Sequence, residues 1–425
     1  MGLALLVGIL LLSALGVRLY WQHRAQAGQP VSSPPLSMDD SSAFLPVTPP
    51  PVPADNAGSL RAALAGLRSL ATDPKSANSD QLAASALDIG DLWRAENVAR
   101  SVLQLDPKDR SARLTLAASL RRQSRFEPAE RIYRQLLQED RRDSDAYLGM
   151  ADTMFAANER PGAFDWLARA AAEGAQTPLS LSTIAHRYQD WKDYPKAEET
   201  AARALQIAPD NVDALLQKAS IQVESGKLDA GYQTLDTLLK KDPDNGLAYR
   251  LMGVVLMNAT FSHQDMNRAR GLLERAVELV PRDLELYRSV AVLYRQQRLY
   301  RLAAQAYDAL LHLDPTSLDG RYGLGQVYAL LGRSDLSKQQ LALYKRLDER
   351  QRRVTRLSEE AAHHPTQADG HASLARYLES SGDYARALPE YQAAAGLDPH
   401  NAALQTDVTR FYAHLGSTPP EHKAQ

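Results

Sequence analysis

Proline spacing constrains this chain more than any other feature. Pro209 to Pro243, Pro281 to Pro315, and Pro365 to Pro399 share one step of 34 along the sequence. Pro107 precedes Pro209 by three such steps, with Arg141 and Ala175 in the two intermediate slots. A fixed period of this length is the mark of an array of small units, each too small to bury its own apolar face. A chain of this kind folds by stacking, and the fold class it implies is all-α, with two helices per period.

Side chains at fixed offsets from the prolines test the period independently. The repeat ending at Pro315 gives Tyr287, Val290, Ala291, Tyr294, Ala303, Tyr307 and Leu310. The repeat ending at Pro399 gives His371, Leu374, Ala375, Leu378, Ala387, Tyr391 and Ala394. The repeat ending at Pro209 gives Leu181, Ile184, Ala185, Tyr188, Ala197, Ala201 and Ala204. One small residue recurs in the first helix as Ala117, Ala151, Ala185, Ala219, Gly253, Ala291, Gly325 and Ala375. A second recurs in the partner helix as Ala129, Ala163, Ala197, Gly231, Ala269, Ala303 and Ala387. Small residues at matched positions let two helices approach closely, while larger ones fill the gaps between pairs.

With these offsets the chain resembles the tetratricopeptide repeat (TPR) family, from about Ala77 to Gly416. The resemblance implies a right-handed superhelical solenoid of about nine helix pairs. The first repeat, up to Pro107, is the most degenerate, as suits a terminal cap. A half-repeat over residues 401–415 ends the array, its apolar face diluted by Asp407, Arg410 and His414. Two steps depart from the period. Between Pro243 and Pro281 four residues are inserted near residues 258–265, which predicts a longer turn between the two helices. Between Pro315 and Pro365 the step is 50, and residues 334–363 contain neither Gly nor Pro. One long helix is expected there. Leu343, Leu347, Val354, Leu357 and Ala361 give it a weak heptad seam, readable as a self-association surface or as packing on the next repeat.

The ends differ in kind. Residues 2–17 are unbroken apolar sequence, and Leu19, Tyr20 and Trp21 can extend it to bilayer length. An uncleaved transmembrane anchor over residues 1–21 is the first reading. A cleavable signal peptide ending near Ala14-Leu15-Gly16 is the second. The positive-inside rule assigns the flank with Arg18 and Arg24 to the cytoplasm, which places the bulk of a bacterial inner-membrane protein inside. Residues 22–57 hold Pro30, Pro34, Pro35, Pro46, Pro49, Pro50, Pro51 and Pro53, so this stretch reads as a disordered or polyproline linker. The solenoid then spans 58–416, and 417–425 is a frayed tail.

Composition excludes several chemistries. The chain has no cysteine, which removes disulfide scaffolds, zinc ribbons and thiol nucleophiles. A net charge of −2 argues against nucleic acid as partner. No phosphate loop, H-E-x-x-H or nucleophile elbow is present, so neither a catalytic residue nor a cofactor is expected and the chain does not read as an enzyme. His363, His364 and His371 lack a carboxylate at metal-ligand spacing, and no metal site is expected. Asp145, Asp213, Glu285, Asp319 and Asp369 recur early in the first helix of their repeats, where the helix dipole favours them.

A binding role remains. The family presents the first helix of each pair along a concave groove, and its positions can be counted off in this sequence. Arg250, Arg288, Arg295, Tyr322, Gln326 and Arg376 are the candidate peptide-binding residues. Guanidinium forks, an aromatic ring and an amide suit an extended acidic or C-terminal protein segment. The layout is similar to that of membrane-anchored bacterial TPR scaffolds in envelope biogenesis. The alternative is a periplasmic or secreted TPR factor for export or assembly of polysaccharide, pilus or cytochrome components.

Overall fold

The computed structural model describes residues 56–70, 79–259 and 263–420. The apolar run 1–21 and almost all of the linker lie outside the described residues. Among those described, no helix is long and apolar enough to cross a membrane. All regular structure among them is α-helical, in two compact units.

The first unit holds α1 (Ala57–Leu70), α2 (Ser79–Ile89), α3 (Leu92–Leu105), α4 (Arg110–Arg122), α5 (Phe126–Glu139), α6 (Ser144–Ala156) and α7 (Arg160–Glu173). The second holds α8 (Pro178–Asp190), α9 (Tyr194–Ile207), α10 (Val212–Glu224), α11 (Leu228–Lys241), α12 (Gly246–Ala259), α13 (His263–Leu279), α14 (Leu284–Gln296), α15 (Tyr300–Leu313) and α16 (Leu318–Leu330). The long helix α17 (Ser334–His363) starts in the second unit and ends in the first. The first unit then continues with α18 (Ala368–Ser380), α19 (Tyr384–Leu397) and α20 (Ala402–His414). Among the described residues, α2 to α19 make nine consecutive helix pairs, as the period implies.

Each pair is punctuated in the same way. Asp109, Asp143, Asn211, Asp283 and Ser317 cap first helices, each side chain accepting from a backbone N–H of the first turn. The acidic residues Asp145, Asp213, Glu285, Asp319 and Asp369 occupy the first turns themselves. The turn between helices passes through the left-handed region at Gly90, Ser124, Asn158, Lys192 and Gly226, each one period after the last. The recurrent small residues sit at closest approach. Ala117, Ala151, Ala185, Ala219, Ala291 and Ala375 are fully buried, as are Ala129, Ala163, Ala197, Ala269, Ala303 and Ala387. A Cβ on Gly253 would lie 2.6 Å from Leu273, so that helix pair is set by the missing side chain.

The two departures from the period resolve differently. Part of the four-residue insertion is absorbed by α13, which is 17 residues long where most second helices have 14. Residues 260–262 of the expected turn lie outside the described residues. Ala269 and Leu273 resume the register and are buried. The sixteen extra residues do form one 30-residue helix, α17. Its seam residues Val354 and Leu357 are buried in one cluster with Ala372, Leu374 and Leu378, so that end of the seam packs on its own chain.

Within the first unit, the N-terminal helices pack on the C-terminal repeats. No periodic feature of the sequence indicates this contact. The half-repeat α20 ends in the same turn as the complete repeats: Gly416 has φ +64°, and the Ser417 N–H donates to the Tyr412 carbonyl at 2.9 Å. No second helix of its own follows through residue 420. α1 lies against α19 and the end of α20 instead. The Asn56 N–H donates to the Gly382 carbonyl at 2.9 Å, and its amide donates to Asp383 at 3.0 Å. In return the Asn56 Oδ1 accepts from the Ala385 N–H at 3.1 Å. Arg61 donates to the His414 carbonyl at 3.1 Å. Ala57, Leu60 and Leu64 join the cluster of Leu388, Tyr391, Phe411 and Leu415. Burial of each leucine contributes about 1.5–3 kcal/mol. An isolated helix of this length would be marginal in water, so α1 depends on this packing. α20 keeps Arg410 and His414 exposed, while its apolar face shares one cluster with α1. Ser417, expected to begin a frayed tail, is buried.

A second set of contacts closes the same seam. Asp91, Gln392 and Tyr412 are all fully buried. The Gln392 amide donates to Asp91 at 2.9 Å and to the Tyr412 hydroxyl at 2.6 Å. Tyr412 donates to Asp91 at 3.0 Å, and the Leu92 N–H donates to the Gln392 Oε1 at 2.7 Å. The charge of Asp91 is met by Arg94, whose Nε is 2.9 Å away. Burial and the facing Asp91 push the Tyr412 hydroxyl pKa far up, which keeps it a donor. Gly90 makes the close approach possible: a Cβ there would meet Pro389 at 3.2 Å, and its φ is +84°. His371 completes the seam. Its Nδ1 is 2.7 Å from Glu390, and its Nε2 is 3.1 Å from the Pro365 carbonyl and 3.3 Å from the Ser124 hydroxyl. Burial is the largest single influence and disfavours its charge, but the bond to Glu390, the Glu390 charge and the Pro365 carbonyl together outweigh it and raise its pKa. These contacts within the protein account for a histidine at that position.

The second unit buries a different polar group. Arg321 is fully buried, donating to Gln340 at 3.0 Å and to the Pro315 carbonyl at 2.9 Å. Asp308 lies within reach of its charge, with His312 Nδ1 3.2 Å from the Asp308 Oδ2. Burial pushes the Asp308 carboxyl up, to about 6, partly offset by His312 and Arg321.

Substitution tests both buried groups. Replacing Gln392 with Leu leaves Asp91 and Tyr412 with fewer partners and takes one acceptor from the Leu92 N–H. Asp91 stays buried, so the substitution is expected to cost about 1–3 kcal/mol. Denaturant unfolding of the variant checks this, and a change under about 0.5 kcal/mol would contradict the seam. For Asp308, the folded-state pKa lies above its ordinary 3.8. Its contribution is therefore complete below about 3.8 and is lost as pH rises through about 6. Stability measured from pH 4 to 7 is expected to fall less with rising pH in Asp308→Asn than in the parent chain. Parallel profiles would refute the assignment.

Candidate functional site

The six candidate residues all belong to first helices, and each is placed by the repeat. Arg250 is on α12, Arg288 and Arg295 are on α14, and Tyr322 and Gln326 are on α16, all in the second unit. Arg376 is on α18 in the first unit, so it is described separately.

In the second unit the arginines face the next first helix. The Arg250 Nε is 3.0 Å from Asp283, the residue capping α14. The Arg288 Nε is 3.2 Å from Asp319, and its Nη1 donates to Glu285 at 3.1 Å. Arg295 donates to the Oε1 of Gln326. Tyr322, 45% exposed, packs its ring against Tyr344 of α17 with centroids 5.1 Å apart. Asp319, Tyr322 and Gln326 follow one another at helical spacing, so they line one face of α16. On the earlier repeats, Gln189 donates to Ser220 at 3.2 Å and to Glu224 at 2.6 Å. Gln217 donates back to the Ser182 carbonyl at 2.8 Å.

The first unit repeats the pattern. Arg110 donates to Asp143 and Asp145 at 2.7 Å each, and these bonds raise its pKa further. Arg376 lies 2.9 Å from Asp407, and Arg410 reaches back to Glu379 at 3.0 Å. These contacts join residues about one period apart. They form a ladder of polar rungs from one first helix to the next.

The ladder changes the reading of the candidate residues. Arg250, Arg288 and Arg376 each have a carboxylate partner already, and Arg288 has two. The more exposed rungs, at Arg288 and Arg376, contribute little to stability, on the order of 0–1 kcal/mol each. They orient the guanidinium groups and keep the face close to neutral. Arg295 differs, because the partner that holds it is a neutral amide. Its charge is directed but not neutralised by that contact, and the exposed Tyr322 ring is one helical turn from Gln326. The sequence does not reveal Asp283, Asp319 and Asp407 as arginine partners: it offers Asp319 for the helix dipole and Asp407 for a diluted last helix. The signal existed, as an acidic residue just under one period after an arginine, but only the period gives that spacing a meaning.

Descriptions of the tetratricopeptide repeat match residues 191–254 in one form and 259–318, 291–349 and 354–417 in another. Together they span just over half of the sequence. The chain belongs to the tetratricopeptide repeat family. Its TPR pairs are similar to those of several solved structures. One is MamA, 18% identical over 40% of this chain and 97% of that chain, with a TM-score of 0.35. A second is MamA from Desulfovibrio magneticus RS-1, 17% identical over 40% and 95%, with a TM-score of 0.36. A third is YrrB, described as a TPR protein with an unusual peptide-binding site, 18% identical over 43% and 91%, with a TM-score of 0.33. Comparison with curated proteins gives no match. The TPR pairs make this chain a protein–protein interaction scaffold.

Proposed function

We propose that the chain is a membrane-anchored TPR scaffold that holds an extended protein segment along the first helices of residues 177–351. The role fits assembly of a membrane complex or of the cell envelope. The observation that carries the reading is the Arg295–Gln326 rung. It supplies a guanidinium oriented by a neutral acceptor, beside an exposed tyrosine, on a face where the neighbouring arginines are already paired. A carboxylate from a partner, on an acidic side chain or at a C-terminus, would take the remaining donors of Arg295. The flanking ion pairs would keep adjacent acidic side chains from binding without register. The apolar residues 1–21 support the anchor, and the proline-rich stretch supports a spacer between anchor and scaffold.

Two measurements test this. Arg295→Gln in the full-length chain is expected to lower capture of a specific partner from membrane extracts about tenfold, by loss of one charge-assisted contact. Helicity should be unchanged. Equal capture by both forms would remove Arg295 from the site. Protease treatment of intact and lysed spheroplasts carrying a C-terminally tagged chain addresses the membrane. Protection until lysis, at full length, is expected. Digestion of intact spheroplasts would place the repeats outside, and a shortened mature chain would mean that the apolar run is a signal peptide.

A further inference from the structure

Two second helices of the first unit carry a feature that the polar ladder does not use. Arg141 stands in the slot that proline holds in the repeats ending at Pro107, Pro209, Pro243 and Pro281, in the turn after α5. Arg134, Leu137 and Gln138 precede it at helical spacing on α5, outside the face that buries Ala129, Tyr133 and Leu136. With Trp166 of α7 these residues line a cavity of about 300 Å³. The lining is apolar at Leu137 and Trp166, cationic at both ends of the α5 stripe, and contains no carboxylate. The guanidinium carbons of Arg169 and Arg134 lie 4.8 and 5.8 Å from the centroid of the Trp166 ring. The same ring packs against Tyr147, with centroids 6.0 Å apart. Arg134 is paired with Glu130 at 3.1 Å. Arg141 and Arg169 are exposed and form no ion pair among the described residues, unlike the arginines of the ladder. Their charges act on one place: burial and the Glu173 carboxylate raise the Tyr147 hydroxyl pKa, and Arg169 and Arg141 oppose that rise.

We propose that this cavity is a second binding site, which takes an extended acidic segment of a protein partner and seats an apolar side chain between two carboxylates. Charge complementarity and spacing identify the occupant. Arg134 and Arg141 are about 10 Å apart at the helical rise. Three residues of extended chain cover the same distance. A segment with carboxylates three positions apart therefore meets both arginines, and an apolar residue between them covers Leu137 and the indole. Guanidinium forks match carboxylates bidentately. Arg141 is the stronger anchor, because it has no carboxylate of its own to release, whereas at Arg134 the incoming group competes with Glu130. Gln138 offers an amide to the backbone of the segment. A concavity that is apolar in the middle and charged at both ends suits a side chain with charges on either side. A lipid headgroup instead places its charge in one cluster. The site belongs to second helices of the first unit, whereas Arg295 belongs to a first helix of the second, so it does not rest on the Arg295 reading.

The probe is a fluorescent synthetic peptide, Gly-Glu-Leu-Phe-Glu-Gly, titrated with the full-length chain in detergent and followed by anisotropy. Saturable binding to the parent chain is expected. Arg141→Gln is expected to weaken it about tenfold, through loss of one charge-assisted contact. Trp166→Ala should weaken it by a similar factor, and Arg295→Gln should leave it unchanged. A peptide with glutamine in place of both glutamates should bind at least about tenfold more weakly. Circular dichroism checks that helicity is kept, and Arg141 is exposed and holds no ion pair, so its replacement leaves the fold intact. Equal affinity of the R141Q and parent chains refutes the proposal. So does equal affinity for the glutamine peptide, or no binding to the parent chain up to about 1 mM. Displacement of the peptide by phosphatidylglycerol, and not by phosphatidylcholine, would assign the cavity to a lipid headgroup and overturn the proposal as well. None of these outcomes bears on the Arg295 face, which is tested by partner capture.

Discussion

The structure depends on one steric constraint, the close approach of two helices at an alanine or glycine in each. Twelve fully buried alanines hold these positions across the nine pairs, and Gly253 shows what a larger residue would meet. Tight contact at a small residue fixes the distance within a pair, and interdigitation of Tyr and Leu fixes the spacing between pairs. Once both are fixed, the first helices of each unit are placed in a regular row. The polar rungs need that row. An arginine can reach a carboxylate in the next repeat only because each repeat advances by the same step.

The same constraint explains what could be read from the sequence. The helices, their pairing, their number and the long α17 all follow from a period that the chain repeats nine times. Errors in a single repeat are averaged out by the others. Gln340 and Arg321 carried no such signal, because a buried arginine in one repeat has no counterpart elsewhere. The ladder was half legible. Its arginines stood at groove positions, but their partners are visible only after the sequence has been folded into register. The seam was not legible at all. Asn56 and Asp383 are 327 residues apart, and nothing in local propensity or in the period marks them as a pair.

The seam also corrects how terminal repeats should be interpreted. Degenerate first repeats and diluted last helices are expected of caps facing solvent. Here the degeneracy has another cause. Residues 57–105 must satisfy a different neighbour from the one that an interior repeat meets, so they cannot keep the interior pattern. Trp93 illustrates this. It is buried in the same cluster as Leu388 and Tyr412, which no interior repeat would require of its second helix.

A purely apolar seam would bury more hydrophobic surface and would be stronger per unit area. It would also leave large apolar patches on both ends before they meet, which invites non-specific association of partly assembled chains. The observed seam divides the task. Leu60, Leu64, Phe411 and Leu415 contribute burial over a limited area. Asp91, Gln392 and Tyr412 reward only the correct register, because each bonds to the other two. Asn56 adds a contact at the base of the linker, so the first described residue of the chain is bonded to the turn between α18 and α19. The proline-rich stretch therefore joins the fold at its C-terminal repeat. Force or position imposed through that stretch would act first on the bonds of Asn56, and through α1 on the α18–α20 cluster that it packs against.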